Sequence, residues 1–325
     1  EQLCEFLRSW RTPGDHGEES PEGLGREITS LAAEKPEPYA SEASLFRELE
    51  PVYVRSLLQG FRDALRADKT FEWAPVLSLC LWVVQQPREG GALEMRHYDS
   101  DPDWGWCRKA VVDLLDEGLK RSGKGAISAE LRSTIWEVLQ PLTEDPEPTP
   151  EYEEEYGGQN MDPATMSLNT VRGKAMQGVA RYALWVAHDT QVGQPGETIG
   201  LEAMPEVRQV LDHHLDPSND PSQTVRAVYG MFLPCFLELD RDWTQQNLGR
   251  IFSEGNAASR MREAAWNAYL LFNRAAPDLL PVLRGQYRNA VEQIPLQRPV
   301  EESLAKPAYE PLVAHLMSYF WWGEV

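Results

Sequence analysis

Two segments of this chain repeat one another. Asp162-Pro163 and Asp216-Pro217 are each followed, seven positions after the proline, by Thr-Val-Arg: Thr170-Val171-Arg172 in the first copy and Thr224-Val225-Arg226 in the second. Each copy runs into apolar residues at helical spacing. Leu168, Val171, Ala175, Val179, Tyr182 and Val186 lie three or four positions apart, and so do Val225, Tyr229, Phe232, Phe236 and Leu239. Such echoes mark stacked helical units, each too small to bury its apolar face alone. Asp before Pro is good start chemistry for a helix, because Asp caps free N–H groups and Pro suits the first helical position. The Val opens the apolar stripe, and the Arg beside it points about 100° away. Pro234 in the second stretch predicts a kink.

Asp-Pro shortly before Val-Arg, then an apolar helix, resembles a HEAT or armadillo-type repeat. That resemblance implies an all-α, HEAT-like solenoid of irregular antiparallel helix pairs. It places Val171 and Val225 between stacked helices and sends Arg172 and Arg226 toward an acidic residue of a neighbouring unit. Met261-Arg262 reads as a third, weaker copy; Cys107-Arg108 and Leu131-Arg132 are fainter echoes. The copies lie further apart than the roughly 40–47 residues usual for such repeats, and the loop 189–200 takes up the excess. The run from Ser167 to Ala187 also looks like helical-repeat regions of large bacterial multidomain proteins, including NTPase-type anti-phage sensors, which implies a piece of a larger protein.

The remaining apolar spacing predicts helices over 1–10, Gly25–Glu34, Val52–Arg66, Phe71–Gln86, Trp104–Arg121 and from Ser128 onward, with Pro36-Glu37-Pro38 as a stop. Phe71–Gln86 is apolar nearly all round, which places it inside the fold. In the second half, helices are expected at 207–215, 247–252, 261–272, 279–291 and 309–322. No segment alternates with period two, so no sheet is expected. Residues 144–160 contain seven acids and three prolines. They read as a solvated linker or long loop between an N-terminal helical region, 1–143, and C-terminal HEAT-like repeats, 161–325.

The formal charge of −20 opposes non-specific binding to nucleic acid and favours a partner with a basic surface. Four cysteines without paired spacing read as reduced, mostly buried thiols of a cytoplasmic protein. No run approaches the roughly 18 apolar residues of a membrane span.

Chemical motifs fail on context. Gly118 to Lys124 fits G-x-x-x-x-G-K, but Gly125 replaces the hydroxyl residue and the run follows a helix, so an ordinary helix end is the better reading. Ser303 to Lys306 fits S-x-x-K without its companion motifs. No histidine pattern has metal-ligand spacing, and the six histidines read as surface or hydrogen-bonded residues. No cofactor is implied.

Eleven tryptophans are mostly core anchors, while Trp104, Trp106, Trp321 and Trp322, near a loop or the last residues, are candidate partner contacts. The leading expectation is a non-catalytic interaction, scaffold or sensor module. The alternative is an α/α-toroid glycan hydrolase, with Asp101 or Asp103 beside Trp104 and Trp106 supplying paired carboxylates.

Overall fold

The protein's structure, a computed structural model, describes residues 1–10, 20–88, 103–157, 161–193, 199–252, 259–294 and 309–324. These residues form α-helices joined by turns and three short 3-10 segments, and there is no strand among them. In chain order the helices are α1 (Gln2–Ser9), α2 (Pro21–Glu34), α3 (Pro36–Ser41), α4 (Pro51–Arg66), α5 (Trp73–Val84), α6 (Trp104–Leu119), α7 (Arg132–Thr143), α8 (Pro150–Tyr156) and α9 (Pro163–Asn169). There follow α10 (Val171–Gly193), α11 (Pro205–Leu215), α12 (Gln223–Met231), α13 (Leu233–Leu239), α14 (Arg241–Ile251), α15 (Ser259–Phe272), α16 (Leu280–Glu292) and α17 (Tyr309–Trp321). No helix among the described residues is long and apolar enough to cross a membrane.

The chain divides into two compact units. One holds Glu1–Asp145 and Gln177–Gly193; the other holds Pro146–Met176 and Gln194–Val325. The division by sequence at 144–160 therefore differs in two respects: the acidic run belongs to the second unit from Pro146 onward, and the later part of α10 returns to the first.

In the first unit, α2 packs on α4 and α4 on α6, while α3 packs on α5 and α5 on α7. Helices two apart in sequence thus lie side by side, in two alternating rows. Small residues allow the α2–α4 approach. A Cβ added to Gly60 would stand 2.6 Å from the Ala32 Cβ and 2.9 Å from the Thr29 oxygen. At the same crossing the Thr29 hydroxyl donates to the Ser56 carbonyl at 2.9 Å. α5 is less enclosed than its all-round apolarity predicts: Ala74 and Ser78 are exposed and Leu81 and Trp82 half-buried, so one face stays open while Val76, Leu77, Cys80 and Val83 face the core. The later turns of α10 complete this unit. Arg181 Nε lies 2.7 Å from Asp116 on α6, the Tyr182 ring meets Trp136 on α7, and Gly178 admits the Leu139 side chain.

In the second unit, α12 packs on α9 and α15, α15 packs on α17, and α13 packs on α14. Gly230 is the tightest point: a Cβ there would stand 1.8 Å from the Ala265 oxygen on α15. Only glycine fits this α12–α15 contact.

Several local expectations are corrected. Asp162 does cap α9, accepting from the Thr165 N–H at 3.0 Å with Pro163 behind it. Asp216-Pro217 starts no helix; Asp216 ends α11, and its carboxylate accepts from the Ser218 N–H and hydroxyl. The start signal for α12 lies four residues further on, at Asp220-Pro221-Ser222, where the Ser222 hydroxyl caps the Val225 N–H at 3.1 Å. The single helix expected from Leu168 to Val186 is broken by extended backbone at Thr170. Pro234 does not kink a helix; it begins a new one, α13, and Pro36 likewise begins α3.

The acidic run contains helix α8, capped by the Thr149 hydroxyl. α8 buries none of its residues. Glu153 fastens it, accepting from the Ser222 hydroxyl and from the Gln223 and Thr224 N–H groups at 3.1 and 2.9 Å. A carboxylate at the first turn of α12 satisfies free N–H groups and matches the helix dipole.

Candidate interaction surface

The Val-Arg dipeptides lie in the core. Val171 and Val225 are 2% and 1% exposed. Arg172 points its Nε at Asp220, 3.6 Å away, and donates to the Pro148 carbonyl. Asp220 is buried; it also pairs with His214 Nδ1 at 2.8 Å and accepts from the Ser222 N–H at 3.0 Å. Arg226 instead reaches main-chain oxygens at helix ends: Leu215 at 2.9 Å and Arg250. Burial holds its guanidinium below the usual range. Met261 and Arg262 are half-buried on α15.

The faint echo at Cys107-Arg108 has a similar arrangement in the first unit. Arg108 and Arg88 hold the two oxygens of Asp145 at 2.9 and 3.0 Å, and the Asp145 side chain is wholly buried. Arg108 also donates to the Gln86 carbonyl at 2.9 Å. These carboxylates are engaged by cations that tie helix ends together, which is a structural role.

The tryptophans separate cleanly. Trp104 is corrected to a core residue: it is 8% exposed and stands edge-on to Trp82, ring centres 5.1 Å apart. Trp106 is half exposed. Trp322 is half exposed beside Tyr319, and Trp321 is the most open large hydrophobic side chain among the described residues, at 86%. Trp321 belongs to a stripe with Val313, Met317 and Phe320, 52%, 60% and 66% exposed. The spacing of four, seven and eight positions puts all four on one face of α17. Leu312, His315 and Tyr319 occupy the buried side. Sequence periodicity did not single out this stripe because α17 is apolar on both sides, and spacing alone does not tell the seat from the free face.

Other candidates resolve as structural. Asp103 caps α6, accepting from the Gly105 N–H at 2.9 Å; Asp101, Ser303, Lys306, His16 and His97 lie outside the described residues. Gly118 sits inside α6 against the Trp73 ring, and Gly123 and Gly125 take positive φ (73° and 82°) in the turn after the helix. Burial pushes the Cys80 and Cys107 thiols up to about 12, so neither is a ready nucleophile. No family model matches this chain, and neither curated proteins nor solved structures return a match.

Proposed function

We propose that the chain is a helical-repeat module that holds another protein against the open face of α17. The exposed stripe of Val313, Met317, Phe320 and Trp321 carries this reading. Aromatic and Met side chains gathered on one helix face are the residues that make anchor contacts in interfaces. The alternating rows of the first unit support a repeat architecture, as expected from the likeness to HEAT-type repeats and to helical regions of large bacterial sensors. The chain's charge of −20, with Glu310 and Glu324 bracketing the stripe and no Lys or Arg between them, favours a partner with basic residues around an apolar patch.

Capture of binding proteins on the immobilised chain tests this. A partner held by the wild type should be lost at least tenfold with a Phe320→Ser, Trp321→Ser double variant whose helix content and melting are unchanged. It should also be weakened between low and physiological salt. Equal retention by the variant would refute the proposal.

A further inference from the structure

The buried side of the same helix leads to a second inference, which does not depend on there being a partner. His315 connects α17 to α15 and α16. Its Nε2 lies 2.9 Å from the main-chain oxygen of Asn273, and its Nδ1 lies 2.8 Å from the Tyr287 hydroxyl. Tyr287 is in turn 3.2 Å from the Tyr269 hydroxyl. The donors follow from these contacts. A carbonyl oxygen only accepts, so Nε2 carries the proton of the neutral ring and Nδ1 presents a lone pair. Tyr287 must then donate to Nδ1. Its one hydrogen is thereby used, so Tyr269 donates to Tyr287. The order of donation is Tyr269, Tyr287, His315, Asn273, and every member is satisfied.

A proton added at Nδ1 reverses this order. The imidazolium donates from both nitrogens, so Tyr287 must turn its hydrogen away, toward the hydroxyl oxygen of Tyr269 or Tyr319. The hydroxyls around it must then reorder their own donations. The added charge lies in a site that is 5% exposed. The titratable groups around it are phenols: Tyr269 from α15, Tyr287 from α16 and Tyr319 on α17 itself. Burial raises Tyr269 and Tyr287, so neither ionises to offset a positive charge. The charged residues of the turn between α15 and α16, Arg274 and Asp278, are exposed. A buried charge without a counter-ion disfavours the docked state.

We propose that His315 is an acid-sensitive latch that seats α17 while its ring is neutral and releases the helix when it is protonated. Burial supports this by holding the imidazole below its ordinary value, opposed in part by the bond to Asn273. The sign follows: a histidine whose proton affinity is lowered by docking contributes full stability above the free histidine value of about 6.5, and this is lost as pH falls toward the lowered value. Every tenfold by which docking weakens proton binding becomes a tenfold loss of docked helix at the acid limit.

Hydrogen exchange, expressed as protection relative to free peptide, tests the latch on the whole chain. Protection across Val313–Trp321 should fall at least tenfold between pH 7.5 and pH 5.0, while α12 stays protected. His315→Gln keeps a donor for the Asn273 carbonyl and an acceptor for Tyr287 but cannot titrate, so its α17 protection should hold across the range. Equal losses in wild type and variant, or simultaneous loss in α12 and α17, would overturn the latch. Should the variant fail to fold, NMR titration of His315 in the wild type decides. A midpoint below the ordinary histidine value supports the latch; one at or above it refutes it.

Discussion

In the first unit the buried carboxylate of Asp145 sits between two guanidinium groups, Arg88 and Arg108; in the second, Asp220 sits between Arg172 and the imidazole of His214. Both tie helix ends together. The first uses two guanidinium groups, whereas the second combines one guanidinium with a neighbouring imidazole ring. The contrast extends through both cores. The described histidine of the first unit, His188, is exposed, while the second unit buries His214 and His315. The first unit is closed by close helix crossings and by aliphatic side chains interleaved with ring pairs such as Trp82–Trp104 and Trp136–Tyr182. The second adds hydrogen-bonded rings at its α15–α17 end, and there it leaves an apolar face open.

The sharpest way to break this comparison is to damage each core in the same manner. Val225→Asp buries a carboxylate without a partner and should destabilise the second unit by about 4 kcal/mol. Hydrogen exchange should show that loss concentrated in α12 and α15; near-normal protection there would mean Val225 is not a packing residue. Next come the crossings. Gly230→Ala forces a Cβ against main chain at 1.8 Å, whereas Gly60→Ala meets the Ala32 Cβ at 2.6 Å and main chain only at 2.9 Å. Overpacking of this kind costs about 1–3 kcal/mol, and the Gly230 change should lie at the upper end and the Gly60 change at the lower. Thermal melts of the two variants rank them.

Smaller effects sharpen the contrast. Glu153→Gln keeps the shape but removes the charge at the start of α12; a loss of about 1 kcal/mol is expected, with faster exchange in α8 and the first turn of α12. Urea titration measures the first and exchange the second. Smallest of all, Trp321→Ser should change stability by no more than about 0.5 kcal/mol in chemical denaturation, since its ring is open to solvent. A larger loss would mean that the ring is packed after all.

The helices were legible in the sequence where one face is apolar and the other polar, as in α4 and α6. The helix start at Asp162-Pro163 was legible too, because Asp before Pro is a local signal. The register of the second copy was not: Asp216-Pro217 matches the first copy by spacing, yet Asp220-Pro221 stands where the backbone turns into α12. Helix α8 was hidden because a hydrogen-bonded carboxylate holds it, and no apolar stripe announces such a contact. The donor order through His315 needed three helices in place, since its members lie up to 46 positions apart in the chain. The open stripe on α17 was invisible for the opposite reason: too many of its residues are apolar for periodicity to tell inside from outside.

Helix α10 gives its first turns to one unit and its remainder to the other. A ribosome making this chain in order delivers Leu139 and Asp116 long before Gly178 arrives to cover the first and Arg181 to add a second cation, beside Lys120, to the other. The earlier unit therefore stays unfinished until synthesis has passed well into the later one. A truncated nascent product ending near residue 145 should be the species that chaperones retain, even though most of its helices are already present.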